Sequence, residues 1–379
     1  GILLDKAAYE KMRELPAFAA RQYEDAIRWA IRSLNAVGVT AMKDAQADHY
    51  TINAYSSLAN VDALTLRVAA SLPWKNSWTE THGEEQRNIA ARAATTSAAV
   101  NNNFIKMFLD GIPPTRTAAF LEPYLPDATH PAGDTGKLNY APAELAQDVT
   151  ALDAQGLTIK IHATGDRSVR VALDAFAAAR KASGRQELRH EIAHAESISG
   201  ADLPRFAQLN VTAEMSPILW YPSTLVDSMA AVLGRERLQN WWPIRSLLES
   251  GARVSYGSDW PSVVPSPSPW PGIEAMVTRA DPYGVHAGTQ GVEQAVDLAQ
   301  AIRIFTLAGA EAMYLESRTG SLVPGKEADF IVLDRNLFEI PPDQISDTQV
   351  LLTVVGGKEV YRAPCRSCSN AAGDTGRPR

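Results

Sequence analysis

The sequence predicts an α/β fold, a parallel (β/α) barrel, from three observations. Short apolar or β-branched runs alternate with longer Ala-rich amphipathic stretches, which is the pattern of βα units on a parallel sheet. Proline- and glycine-rich segments follow several of the strand-like runs, where the loops of a barrel would build a site. The chain has 379 residues, 45% of them apolar, which is enough for a barrel with a small second unit.

The predicted strands number one fewer than the eight of a closed barrel. They are Val39–Met42, Leu64–Ala70, Phe104–Asp110, Leu157–Ala163, Leu188–Ala195, Val211–Met215 and Arg253–Ser258. The predicted helices are Tyr23–Val37, Ala143–Ala154, Ser168–Ser183, Leu203–Gln208, Ile244–Ser250 and Leu298–Ala308. Because a helix precedes the first readable strand, we expect the barrel to be incomplete at its N-terminus and to lack its first strand.

Three regions are predicted along the chain. Residues 1–317 form the barrel without its first strand, residues 318–362 form a portion of a small β-sandwich, and residues 363–379 form a disordered tail. The second region is predicted from two short β runs, Asp329–Leu333 and Val350–Tyr361, with no helix between them. The tail holds both cysteines, Cys365 and Cys368, whose single Cys-x-x-Cys spacing is weak evidence for a metal or redox site.

Composition and charge exclude several classes of partner. The 36 basic and 43 acidic side chains give a net charge of −7, without the basic patch that nucleic acid binding requires. No apolar stretch is long enough to span a membrane, and the first residues do not resemble a signal peptide. We therefore expect a cytoplasmic protein that acts on a small molecule. Because an incomplete barrel leaves strand edges unpaired, we also expect aggregation or a homo-oligomer.

Two predicted strands carry polar residues on the face that points into the barrel. In the run Leu157–His162 apolar residues alternate with polar ones, so His162 points inward at the carboxyl end of its strand. Lys106 takes an inward position in an otherwise apolar run, where a buried ammonium is costly unless it is neutralised. Reaction with carbon dioxide would give a carbamate, an anionic ligand for two metal ions. The alternatives are an ion-paired lysine and a hydrogen-bonded core histidine.

His190 and His194 belong to a His-Glu-x-x-His sequence, which on a helix binds zinc in metalloproteases. Glu214, further along the chain, offers a third ligand. The segment Leu188–Ala195 is short and lies where the next strand of the repeat is due, so we predict a strand. On a strand the two histidines share a face because their separation is even. The protease interpretation requires residues 188–195 to be helical.

Asp259 follows the last predicted barrel strand, within the sequence Gly257–Pro261. Alone, such a string is typical of a turn whose carboxylate caps the backbone. Together with Lys106, His162 and His194, it places four metal-binding groups at the carboxyl ends of four strands. A barrel hydrolase needs such an arrangement to bind metal and activate water.

Five motifs, in this order, resemble those of the amidohydrolase superfamily, most of all its YtcJ-like branch, which includes N-substituted formamide deformylase. The motifs are Ile105–Gly111, Ile161–Arg167, Arg189–His194, Gly257–Pro261 and Gly320–Asp329. The resemblance implies a distorted (β/α)8 TIM-like barrel of the metal-dependent hydrolase type, with a small β-sandwich. It also implies hydrolysis of amide or related C–N bonds with zinc or a similar divalent ion, one or two per chain.

The resemblance implies roles for particular residues. Lys106 would be a carboxylated ligand that bridges the metal ions, and His162 and His194 would be imidazole ligands. Asp259 would be a ligand and also the base that carries a proton from water to the leaving nitrogen.

The resemblance also implies a substrate pocket, which His190 and Trp260 would line.

The sequence departs from the family pattern in one respect. The family carries a His-x-His pair on its first barrel strand, and no His-x-His occurs in this sequence, so we expect half of the metal site to be missing. The first alternative is therefore a non-catalytic remnant that keeps the barrel shape, and the second is the metalloprotease.

Overall fold

The computed structural model describes residues 5–12, 14–16, 18–216, 219–262 and 264–364. Seven parallel strands, paired in chain order, form one sheet that curls into part of a (β/α) barrel. They are β1 (Ala41–Asp44), β2 (Arg67–Pro73), β3 (Val100–Phe108), β4 (Thr158–Ala163), β5 (Glu191–His194), β6 (Thr212–Met215) and β7 (Arg253–Tyr256). The fold class predicted from the sequence is confirmed, and each predicted barrel strand is present.

Thirteen α-helices occur among the described residues. They are α1 (Asp5–Met12), α2 (Ala20–Ala36), α3 (His49–Asn60), α4 (His82–Ala91), α5 (Pro142–Ala154), α6 (Asp166–Ser183), α7 (Leu203–Gln208), α8 (Thr224–Leu233), α9 (Arg235–Leu238), α10 (Ile244–Glu249), α11 (Trp270–Thr278), α12 (Leu298–Arg303) and α13 (Gly309–Ala312). None of these helices has the length and apolar character needed to cross a bilayer.

Helix α6 shows how the sequence pattern sets an element. Its buried residues recur at helical spacing, as at Val169, Ala172 and Phe176, so one face packs against the sheet. Gly184 ends the helix with a left-handed φ of 67°, a conformation that glycine adopts without steric cost. The helical spacing of its apolar residues and the glycine at its C-terminal end made the bounds of this helix predictable to within about two residues.

Helices α3 and α11 are among those that were not predicted. Helix α3 is rich in Thr, Asn and Ser, which are weak helix formers, but it buries Ile52, Tyr55 and Leu58. Helix α11 begins with Trp-Pro-Gly, which favours a loop in isolation, yet nearly the whole helix is buried. Tertiary packing, which a local pattern does not contain, stabilises both helices.

The small second sheet contains three antiparallel strands, β8 (Phe330–Leu333), β9 (Val350–Val355) and β10 (Lys358–Arg362). The predicted single run Val350–Tyr361 is in fact a hairpin, which turns at Gly356 and Gly357 with φ values of 57° and 78°. Two statements stay predictions: that this sheet belongs to a sandwich, and that the boundaries of the region lie at residues 317 and 362. Residues 365–379, with both cysteines and most of the predicted tail, lie outside the described residues.

A layer of paired charges fills the barrel interior. Lys160 on β4 makes ion pairs with Glu191 on β5, at 3.2 Å, and with Glu214 on β6. Glu191 also pairs with Lys43 on β1, which is 148 residues away in sequence. Each of these acids and lysines is at least mostly buried, and each has an opposite charge in contact. Lys160, a polar residue of the alternating run Leu157–His162, therefore points into the barrel.

Strands β1 and β7 are the two ends of the sheet, and each pairs with one neighbour among the described residues. Other contacts approach these edges. The ring of Phe305 stacks on that of Tyr256 at 3.9 Å, and Lys43 Nζ donates a hydrogen bond to the Ala312 carbonyl at 2.9 Å. Association of the chain with a second copy stays a prediction.

The charged layer gives a first test of the fold. Substitution of Lys160→Met should lower the free energy of unfolding by about 3 to 5 kcal/mol, because it leaves the buried Glu214 without a counterion. The double variant Lys160→Met with Glu214→Leu should recover part of that loss. Urea unfolding measures the free energy of unfolding of the single and the double variant. The exposed Lys181→Met is the control, and it should change that free energy by less than about 0.5 kcal/mol. A loss below about 1 kcal/mol in the single variant would contradict the paired layer.

Candidate functional site

The carboxyl ends of the barrel strands bring together residues that the sequence singled out. Lys106 on β3 is 3% exposed, and its Nζ lies 4.6 Å from the centre of the Phe108 ring. No hydrogen bond or ion pair joins Lys106 Nζ to another described residue. Burial lowers the pKa of Lys106 to about 8, and the neighbouring Lys160 acts in the same direction. A minor neutral fraction of this amine therefore exists near neutral pH.

His162 on β4 and His194 on β5 lie next to each other, with ring centres 4.6 Å apart. His162 Nε2 is 3.0 Å from the Gly111 carbonyl oxygen, which can only accept, so this nitrogen carries the proton and Nδ1 keeps its lone pair. Burial lowers the pKa of His162 well below its usual value and that of His194 to about 3. Both imidazoles are therefore neutral, as metal ligands must be.

Asp259 follows β7 and is half-buried, with a left-handed φ of 57°. Burial raises the pKa of its carboxyl, and Lys106 opposes that rise, so the two groups are close enough to interact electrostatically. Gly257, two residues earlier, packs against Glu214: a Cβ there would lie 1.7 Å from Glu214 Oε1. A side chain at this position would require the Glu214 carboxylate, which is paired with Lys160, to shift, and this favours glycine as the first residue of the Gly-Ser-Asp string.

The candidate site residues at the carboxyl ends of the strands lack the partners that the charged residues of the barrel interior have. Within the described part of the chain, Lys106 Nζ, the His194 ring and the Asp259 carboxylate have no hydrogen-bond partner. Leaving buried or half-buried polar groups unpaired costs free energy, so native proteins seldom keep them without a function. The arrangement indicates a site for a ligand.

The donor set fits a divalent ion under one condition. Among the described residues, no three His, Cys, Asp or Glu side chains are grouped so as to hold a metal ion. His162 and His194 supply two adjacent imidazoles. A third donor from Lys106 requires that its amine first be converted to a carbamate, whose oxygens bind hard and borderline cations. The fit to a metal therefore depends on the chemical state of Lys106.

His190 does not belong to this site, which corrects the expectation that it lines a substrate pocket. It is completely buried behind the sheet, where its ring stacks on Phe176 at 4.7 Å. Its Nδ1 accepts a hydrogen bond from the Ile159 amide at 3.1 Å, and its Nε2 is 3.0 Å from Asp153 Oδ1. Both ring nitrogens are therefore occupied by structural contacts.

The inference that His190 and His194 share a face was also wrong. Glu191 points into the barrel toward Lys160, so its neighbour His190 points outward. His194 then reaches the interior because its φ of 72° turns the chain at the end of β5. A strand at Glu191–His194 also excludes the metalloprotease interpretation, since that motif requires a helix.

Trp260 lies at the rim, beside Asp259. Its ring stacks on that of Trp29 from helix α2, with centres 5.8 Å apart. The structure therefore adds an aromatic neighbour from helix α2 to the residue that follows Asp259. Its contact with a substrate stays a prediction.

Asp110 is a functional-site neighbour that the sequence reasoning missed. Its carboxylate accepts hydrogen bonds from the amides of Ala119, Thr164 and Gly165 at 2.9 to 3.1 Å, and from the Ser168 hydroxyl at 2.6 Å. These bonds tie the loop after β3 to the loop after β4 beside His162. The turn-forming Asp-Gly and Thr-Gly-Asp sequences were the available signal.

The sequence pattern of the amidohydrolase family matches residues 1–361. The chain belongs to the amidohydrolase family. Its curated relatives include LONG AFTER FAR-RED 3 of Arabidopsis thaliana, 33% identical over 68% of this chain and 42% of that protein. YtcJ of Bacillus subtilis (strain 168), named as an amidohydrolase, is 22% identical over 95% of this chain and 65% of its own length. N-substituted formamide deformylase of Arthrobacter pascens is 28% identical over 58% of this chain and 39% of its length.

Solved structures share this fold. A metal-dependent hydrolase of Pyrococcus furiosus, itself uncharacterized, matches with a TM-score of 0.65 and 23% identity, over 84% of this chain and 61% of that chain. An adenosine deaminase of Xanthomonas campestris with bound Zn matches with a TM-score of 0.61 and 12% identity, over 97% of this chain and 78% of that chain. At these identities the likeness shows the fold. The chain spans less than two thirds of the length of each curated relative named above.

The structural role of His190 can be tested by His190→Ala. We expect a loss of about 2 to 4 kcal/mol in the free energy of unfolding, from the cavity and the lost hydrogen bonds. Burial lowers the pKa of His190, so folding favours its neutral form, and its stabilising contribution is present above about pH 6.5 and falls below that pH. The stability gap between wild type and variant should therefore narrow toward pH 5.

Urea unfolding at several pH values measures this gap, with the exposed His130→Ala as the matched control. A variant that keeps wild-type stability would contradict the structural role. So would a gap that widens as the pH falls.

Proposed function

We propose that this amidohydrolase is a metal-dependent hydrolase of C–N bonds, of the amide type, in small non-peptide molecules. The family and its structural neighbours establish a hydrolase fold, and the finer assignment is ours. The observation that carries it is the grouping of a buried, unpartnered Lys106 with two neutral imidazoles at the carboxyl end of the barrel. Catalytic groups of (β/α) barrels lie at this end.

Four residues would hold the divalent ion or ions, for which we propose zinc. His162 would bind through Nδ1, because its Nε2 already donates to the Gly111 carbonyl. His194, the carboxylated Lys106 and Asp259 would complete the set. A divalent ion in such a site supplies Lewis acidity, which polarises a substrate carbonyl and makes water nucleophilic near neutral pH.

Lys106 would enter the site as a carbamate. The neutral amine attacks the carbon of carbon dioxide, a new N–C bond forms, and one proton is released from the nitrogen. The product replaces a buried cation, which lacks a counterion, by an anion beside neutral imidazoles. With this anion, Lys106, His162 and His194 would hold a divalent cation that balances the negative charge.

Asp259 would be the general base and then the general acid. Its carboxylate accepts no hydrogen bond from the described residues and interacts electrostatically with Lys106. Burial raises its pKa, which makes it a better proton acceptor than a solvated aspartate. It would take a proton from the attacking water and give it to the leaving nitrogen.

The similar proteins support this choice of bond and metal. One relative is named N-substituted formamide deformylase, and one structural neighbour is an adenosine deaminase with bound Zn.

A second candidate function is a non-catalytic remnant that keeps the barrel and binds a ligand without turnover. It is favoured by the lack of a three-residue His, Cys, Asp or Glu cluster among the described residues.

Metal content separates the two candidates. Wild-type protein incubated with zinc and bicarbonate should retain about one or two equivalents after gel filtration, whereas Lys106→Ala should lose most of the metal, because it lacks the carbamate. Lys137→Ala is the control, since this lysine lies outside the site. Elemental analysis measures all three. A wild type that binds no metal, or a Lys106→Ala variant that binds as much, would contradict the enzyme and favour the remnant.

The role of Asp259 is tested by Asp259→Asn in a hydrolysis assay on a panel of N-substituted amides. We expect kcat/KM to fall by about 10² to 10⁴, because an amide side chain does not take up a proton near neutral pH. The surface variant Asp227→Asn should keep wild-type activity. Equal activity of Asp259→Asn and wild type would exclude Asp259 as the base.

A further inference from the structure

A cavity of about 430 Å³ lies at the amino ends of strands β6 and β7, away from the candidate metal site. It is lined by Val211, which directly precedes β6, and by Arg253, the first residue of β7. Asp259 follows the opposite, carboxyl end of β7. Protein interiors are close-packed, and ligand sites commonly have volumes of about 300 to 1,000 Å³. The cavity is therefore a second candidate binding site, which the proposed reaction does not use.

The wall of this cavity is mainly apolar. Phe206 from α7, Val254 from β7 and Ile304 contribute to it, and each is at most 2% exposed. Ile304 and Ala308, which also lines the cavity, are the first and last residues of a π-helical turn. Such turns are rare and occur frequently at functional sites. The apolar wall favours a ligand with an apolar body, because contact with it removes apolar surface from water.

The charged residues of the cavity are two arginines and one glutamate, Arg253, Arg303 and Glu311. The Glu311 carboxylate accepts a hydrogen bond from Arg253 Nε at 3.3 Å and another from Arg303 Nη2 at 3.0 Å. Two positive charges and one negative charge leave the lining with a net charge of +1. A ligand with a single negative charge would balance it.

Arg303 has donors available for such an anion. Its side chain is 57% exposed, and its Nε and Nη1 make no hydrogen bond with any residue that the structure describes. Arg253, by contrast, donates from Nη1 to the side-chain oxygens of Asn210 at 3.3 Å and Thr212 at 3.2 Å. The N–H groups of a guanidinium match the oxygens of a carboxylate in geometry and charge. Arg303 can therefore bind a carboxylate without giving up an existing contact.

A neighbouring cavity of about 440 Å³ limits the charge of the ligand. It shares Leu248 and Gln300 with the first cavity, and its charged residues are Arg245, Glu249 and Asp297. Two acids and one base give this second cavity a net charge of −1. A second carboxylate at the far end of a ligand would approach these acids, so a monocarboxylate fits better than a dicarboxylate.

We infer that the cavity at the amino ends of β6 and β7 binds a monocarboxylate with an apolar body, and that Arg303 binds the carboxylate. A suitable probe is 4-phenylbutanoate, which carries a phenyl ring and a short alkyl chain for the apolar wall. The reference ligand is 4-phenylbutan-1-ol, which has nearly the same shape and a hydroxyl without charge.

Ligand-observed NMR titrations at pH 7.5 measure the dissociation constants of both compounds. Wild type should bind the carboxylate at least about fivefold more tightly than the alcohol, as expected for one charged contact at a partly exposed arginine. Arg303→Gln should remove most of this preference and leave binding of the alcohol unchanged. The exposed Arg21→Gln is the matched control and should behave as wild type.

Two further variants locate the ligand. Ala308→Leu adds volume to the cavity wall and should weaken binding of both compounds, and urea unfolding shows whether this variant folds. Lys106→Ala should bind the carboxylate as wild type does, because Lys106 lies near the carboxyl end of β3. Loss of binding in Lys106→Ala would place the anion at the barrel mouth and overturn the inference.

Three other results would also overturn it. They are no binding of 4-phenylbutanoate by wild type, as expected if a second copy of the chain covers the cavity; equal affinity for the carboxylate and the alcohol; and an unchanged preference in Arg303→Gln. None of these measurements depends on turnover or on bound metal, so a failure of the proposed hydrolase function leaves this test intact.

Discussion

The cost of burying a charge without a counterion is the constraint on which the interior and the candidate site of this barrel depend. In the interior layer of the barrel, Lys43, Lys160, Glu191 and Glu214 neutralise one another through direct contacts. One step toward the mouth, Lys106 is as deeply buried and has no such partner. The paired layer gives the barrel a polar interior whose acids are already in contact with Lys43 and Lys160, so none of the acids of this layer makes an ion pair with Lys106. In the proposed function, carbon dioxide and a divalent cation would neutralise this charge.

The order and faces of the strands were accessible from sequence because they depend on local alternation. Lys106 and His162 occupy inward positions, as the period-two pattern predicted for a half-buried strand. The same rule failed for His190 and His194, because it assumes regular extended backbone and His194 has a left-handed φ. The φ torsion of His194 therefore decides that this histidine reaches the site whereas His190 does not. The pattern of residue types does not predict that torsion.

Other features depend on contacts between distant parts of the chain. The pairing of Lys43 with Glu191 and the approach of Glu214 to Gly257 join residues that no local rule connects. The family pattern supplied the hydrolase class, whereas the physical reason for each site residue came from the structure.

The carbamate of Lys106 is the central claim, and ¹³C NMR tests it most directly. Wild-type protein incubated with zinc and ¹³C-labelled bicarbonate should show a carbamate resonance that persists after gel filtration, and Lys106→Ala treated in the same way should lack it. A wild-type protein that retains zinc and shows no carbamate resonance would contradict the account, since the metal would then be held without the ligand on which the site depends.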